Sequence, residues 1–226
     1  MSQNDPEISF EMKHAGTRKL FEYWNDLRGG RTAPYKSEVT AQAIGRTLAS
    51  NTFVLENLAD GTRRFRLAGS GLYDIFGLEL RGMSAHTMVE LEGRERLDSL
   101  LDRCLSGPAV CVIDCRALAP EGADLSIEIL LAPLRNDFDQ LSRILGAVNV
   151  LDQEDSRVEV APPKCRILSA KTFDVTRPSR FDVDAPMPGF ADTGTTFDFD
   201  GPDLSAIEGG AKTGTPRRGH LKIVKE

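Results

Sequence analysis

The chain has 226 residues, enough for one domain and an extension. Its net charge of −6 at pH 7 lacks the basic excess that phosphate binding needs, which argues against nucleic acid as the main partner. No run approaches the ~20 apolar residues of a membrane span, and the polar, acidic start MSQNDPEISFEMKH has no apolar signal-peptide core.

Residues 1–14 therefore read as a flexible leader. TRKLFEYWNDLRGG, Thr17–Gly30, predicts an amphipathic helix with Thr17 as its cap and Gly29-Gly30 as its end. Leu20, Tyr23, Trp24 and Leu27 recur at i, i+3, i+4 and i+7. That stripe must cover either its own domain or a partner, which makes it a candidate dimer or interaction face. Residues 31–50 are mixed and show little periodicity. Asn51–Leu58 and Arg63–Ala68 alternate around Asp60-Gly61 and predict a hairpin. Its second strand is expected to turn Phe65 and Leu67 one way and Arg64 and Arg66 the other.

The stretch 69–92 carries glycines at 69, 71, 77 and 82, which suits short helices joined by tight corners. A longer helix over Gly93–Ser106 has the stripe Leu97, Leu100, Leu101, Cys104 and Leu105. Three strands follow at Ala109–Leu118, Leu125–Leu134 and Ile144–Leu151, joined by short polar loops that favour antiparallel pairing. The expected fold is α+β: a five-stranded antiparallel sheet with helices on one face, plus the N-terminal helix. Beyond residue 152 prolines and glycines become frequent. An acidic block between Phe181 and Glu208 and a basic end from Lys212 to Lys225 follow, so 153–226 is expected to be a mostly disordered tail. Leu221, Ile223 and Val224 in that end could form a docking motif, against the plainer reading of a solvated terminus.

The element order and three groups of residues resemble a PAS domain family common in alphaproteobacteria. The first group is Tyr23-Trp24 with Leu27-Arg28-Gly29-Gly30-Arg31. The second is Phe65 to Ser70 with Leu72. The third is Phe76-Gly77, Glu79-Leu80 and Gly82. RLAGSGLYDIFGLELRG carries most of the specificity, and Arg96 to Cys111 is a weaker match. The resemblance implies a domain over 15–152 that senses a signal or binds a protein, in some members as a homodimer through an N-terminal helix. It also implies a pocket for a small molecule between sheet and helices. Tyr73, Phe76, Met83, Leu101, Ile113, Cys115 and Ile129 would line it, with an ordinary filled core as the alternative. The resemblance assigns no cofactor, so the cofactor is unknown.

Chemistry-bearing residues are sparse. His86 is a candidate axial ligand for a haem in such a pocket, or else a hydrogen-bonded surface histidine. Cys104, Cys111, Cys115 and Cys165 suit buried thiols in a reducing compartment better than metal ligands, and the cytoplasm is the expected location. No Cys stands in the reactive helix motif of a flavin photosensor. Arg64 and Arg66 could clamp a carboxylate; Asp114, Arg116 and Glu128 lie on the polar faces of other strands, and cross-strand ion pairs on a wet sheet face are the plainer reading. No nucleophile elbow, phosphate loop or zinc-protease motif is present, so the sequence predicts a regulatory protein rather than an enzyme.

Overall fold

A computed structural model describes residues 11–118, 124–151 and 164–175. Helix α1 spans Ala15–Arg28. Its cap is His14, whose Nδ1 accepts the Gly16 amide at 3.0 Å, and not Thr17. Residues expected in the leader are packed, for Met12 is buried with the core; residues 1–10 lie outside the described residues. Gly29 ends α1 as expected, donating its N–H to the Asn25 carbonyl. The stretch read as mixed folds into two short helices, α2 (Ala41–Ile44) and α3 (Arg46–Ser50), after a 3-10 turn at Lys36–Glu38.

Strands β1 (Thr52–Asn57) and β2 (Arg63–Ala68) form the expected hairpin, with Asp60 accepting the Thr62 amide at 2.8 Å in the turn. A bulge places Leu67 opposite Val54 and Phe65 opposite Leu55, leaving Arg66 as the extra residue. The extra residue breaks the two-residue alternation. Leu67 therefore does not follow Phe65 into the core but is 45% exposed, a correction to the simple period.

Helix α4 (Ser70–Phe76) buries Leu72, Ile75 and Phe76, and Gly77 closes it in the left-handed conformation at φ 66°. Two 3-10 turns, Ala85–Met88 and Leu91–Gly93, lead into α5, Arg94–Ser106. Strands β3 (Ala109–Leu118), β4 (Leu125–Arg135), β5 (Leu141–Val150) and β6 (Lys164–Asp174) complete one antiparallel sheet in the order β2-β1-β5-β4-β3-β6.

The sheet thus has six strands, not five. The sixth comes from sequence expected to be tail. In β6, Cys165 and Ile167 point inward while Lys164, Arg166 and Leu168 are exposed. An edge strand needs only one apolar face and tolerates charge on the other, so it carries no long apolar run to announce it. The folded unit extends past residue 152 through β6, while 152–163 and 176–226, with the acidic block and the basic end, lie outside the described residues.

Helices cover both faces. Phe53, Leu55, Phe65, Phe76, Leu97, Leu101, Ile113, Ile129 and Met88 form the core beneath α4 and α5. Leu20, Phe21 and Trp24 of α1 pack with Val110, Val112, Leu130, Ala132 and Leu145 on the opposite face. Strand β4 is accordingly buried without a break from Ile127 to Leu134. Among the described residues no helix is long and apolar enough to cross a membrane.

Candidate functional site

Five of the seven residues expected to line an interior pocket are buried together, and two are exposed. Phe76, Leu101, Ile113, Cys115 and Ile129 are all at most 2% exposed and belong to one packed cluster. The rings of Phe53 and Phe65 meet edge to face at 5.3 Å within it. Tyr73 and Met83 point outward, 57% and 41% exposed, because α4 turns Leu72, Ile75 and Phe76 inward and leaves Tyr73 on its far side. The pocket expectation is corrected at these two positions.

The cysteines sit in the same core as two thiol pairs. Cys104 and Cys111 have their sulfurs 3.6 Å apart, and Cys115 contacts Cys165. Hydrogen bonding to Cys111, together with burial, pushes the Cys104 thiol well above its usual range; Cys115 and burial do the same to Cys165. Protonated, buried thiols are poor nucleophiles and poor metal ligands.

A polar cleft of about 350 Å3 opens outside this core. The β1–β2 turn (Asp60, Gly61, Thr62), Arg63, the segment Ser84-Ala85-His86 and Asp98 of α5 line it. His86 Nε2 lies 2.9 Å from both carboxylate oxygens of Asp98. Arg63 stands 3.6 Å from Asp98 and also pairs with Asp102, while its Nε is buried without a hydrogen-bond partner. The backbone N–H of Thr62 is the largest influence holding the Asp60 carboxyl below its usual range. His86 is therefore a hydrogen-bonded histidine at a surface cleft, and its Nε2 is already engaged by Asp98, which does not suit an axial haem ligand. Arg64 and Arg66 remain exposed on β2, and Arg64 stands opposite Glu56, which pairs with Arg143 of β5 at 3.0 Å.

The stripe expected to serve a dimer is used within the chain. Leu20 and Trp24 are buried, and Trp24 donates its indole N–H to the Pro133 carbonyl at 2.8 Å. Tyr23 and Leu27 are half-buried, and the Tyr23 hydroxyl sits 3.3 Å from the Glu38 carbonyl oxygen and accepts the Thr40 amide at 3.2 Å. A polar clasp that the sequence did not announce holds the start of the helix. Glu128, fully buried on β4, accepts the amides of Lys13 and His14 at 2.7 and 2.9 Å. Lys13 Nζ reaches Asp114 on β3 at 2.7 Å, and Asn149 of β5 donates to the Thr17 hydroxyl at 3.0 Å. Glu128 and Asn149 are direct cross-strand neighbours. A polar residue inside a strand normally marks a wet face; here it marks where the backbone of another element docks.

Residues 12–149 match the sequence model of the PAS domain family. No curated protein matches the chain. Among solved structures, the light-state LOV domain of the blue-light photoreceptor Aureochrome1 is 15% identical, with 51% of this chain and 91% of that one covered at a TM-score of 0.37. The Rhodobacter sphaeroides LOV protein is 12% identical, covering 48% and 62% at 0.38. The PAS domain of a Colwellia psychrerythraea protein is 15% identical, covering 48% and 96% at 0.35. The assignment rests on the family match, which spans β1 to β5 with α1 and leaves β6 outside: the chain belongs to the PAS domain family.

Proposed function

We propose that this chain is a regulatory PAS module that acts by binding another protein. The observation that carries the reading is the filled interior. Phe53, Phe65, Leu72, Phe76, Met88 and Leu101 occupy the space between sheet and helices where a sensor of this architecture would hold its ligand. With that space closed, the remaining way to transmit a state is through the surface. Free thiols at all four cysteines suit a reducing compartment, so the proposal places the protein in the cytoplasm.

The polar cleft beside His86 favours a second reading, a sensor of a small polar molecule bound at the surface. Native mass spectrometry of the full chain beside a denatured sample separates the two. A protein complex or a bare chain, with no extra small-molecule mass, supports the adaptor. Extra mass lost on denaturation supports the sensor and overturns the first reading. A homodimer would be read in the same spectrum.

A further inference from the structure

The β4–β5 hairpin ends in Asn136-Asp137-Phe138-Asp139-Gln140, and at its tip Phe138 is 84% exposed. The backbone under that ring is pinned from both sides. Asn136 Oδ1 accepts the amides of Phe138 and Gln140, each at 3.0 Å, and the Asn136 amide donates to the Gln140 carbonyl at 2.9 Å. Asp139 stands at φ 63°, the left-handed region that Asp tolerates better than most side chains. It is held there from outside the loop. Arg135 Nη1 donates to its carboxylate at 2.7 Å and its carbonyl at 2.9 Å, and the Tyr35 hydroxyl donates to the same carboxylate oxygen at 2.9 Å. Arg135 is itself tied to Pro34 and Thr32.

The turn therefore offers a large apolar side chain to solvent on a rigid mount. Ordering a loop is among the main costs of association, and here the fold has already met it. Aromatic anchors of this kind dominate binding when they enter an apolar pocket. Asp137 beside the ring is exposed as well.

We propose that Phe138 is the anchor by which this chain docks on a different protein, inserting into an apolar pocket whose rim carries Lys or Arg side chains that meet Asp137. This rests on the protein-binding reading above and names its surface. A second copy of the chain is a poorer fit. The cleft beside His86 is lined by Asp60, Thr62, Arg63, Ser84, His86 and Asp98, a polar wall that does not suit the ring. An anionic membrane surface would repel the acidic residues that flank the ring.

The test uses the full chain with a photo-crosslinking phenylalanine analogue at position 138 and, separately, at position 73, expressed in its own cells. The crosslinked protein is then purified, and its affinity is measured for wild type, Phe138→Ala, Asp137→Lys and Tyr73→Ala. The expected result is crosslinking from 138 into an apolar, basic-rimmed pocket. Phe138→Ala should weaken binding about tenfold or more and Asp137→Lys should weaken it further with rising salt sensitivity, while Tyr73→Ala stays within about twofold. Phe138→Ala should melt like wild type, since the side chain is 84% exposed. If a partner is captured from position 73 and Phe138→Ala binds it normally, the anchor is wrong and the protein-binding reading survives. Crosslinking of 138 to a second copy overturns the choice of partner. If neither position captures a protein and the wild-type chain retains none, both readings fail.

Discussion

Phe53 of β1 and Gly146 of β5 face each other across the sheet, and the ring occupies the place of the missing side chain: a Cβ at Gly146 would stand 2.1 Å from Phe53 Cζ. The clash would be with a ring fixed in the core, so Gly146→Ala must displace either Phe53 or a strand. Overpacking of this kind costs about 1–3 kcal/mol. Urea unfolding should show that loss for Gly146→Ala. Adding Phe53→Leu should return part of it, since contacting residues couple in a double-mutant cycle. An additive double mutant would mean that the ring is not what excludes the side chain.

Glu128 governs the seat of α1. Glu128→Ala removes the acceptor for the Lys13 and His14 amides and leaves two donors beneath the helix unpaired, at about 1–3 kcal/mol each where they stay dry. Trp24, the sole tryptophan, reports the outcome directly because its indole is buried and bonded to Pro133. Its emission should shift to the red in Glu128→Ala. Glu128→Gln, which keeps one acceptor oxygen, should shift it less. An unchanged spectrum with unchanged stability would show that the clasp does not hold the helix.

Much of this architecture is legible in the sequence, and the gaps have physical causes. The β1–β2 hairpin, the α5 stripe and the β3 to β5 strands carry strong periodic or turn signals. The Arg66 bulge is silent because one extra residue changes side-chain facing without changing composition. Glu128 reads as a wet-face residue, since nothing local reveals that a distant backbone docks on it. His86 and Asp98 lie twelve residues apart on separate elements and meet only in the fold. The tip 136–140 reads as an ordinary polar loop, because part of the brace on Asp139 comes from Tyr35, far away in sequence.

Acid should loosen the attachment of β6 before it unfolds the core. Arg166 holds the Glu90 carboxyl below its usual range, pairing through Nε at 2.7 Å and Nη2 at 3.1 Å. A carboxyl whose folded pKa is depressed contributes stability that is complete above the ordinary Glu value, about 4.3. That contribution disappears as pH falls through the lower folded value. Glu90→Gln should therefore melt below wild type at pH 7, and the difference should close on acidification below about pH 4. A gap that persists at low pH would assign the effect to packing rather than charge. The pair is exposed, so the shift should also shrink with added salt.

Closure of the interior is testable by opening it. Leu101 is fully buried on α5 among Phe53, Phe76 and Ile129, and Leu101→Ala should cost about 2–5 kcal/mol, set by how far its neighbours relax. A dry apolar cavity of this kind accepts small apolar molecules. The variant should then be restabilised by benzene or xenon, while the wild type should gain nothing from either. A wild-type chain that is itself stabilised by such a probe would reveal a pre-existing cavity beneath α4 and α5, and would move the functional reading from adaptor to ligand sensor.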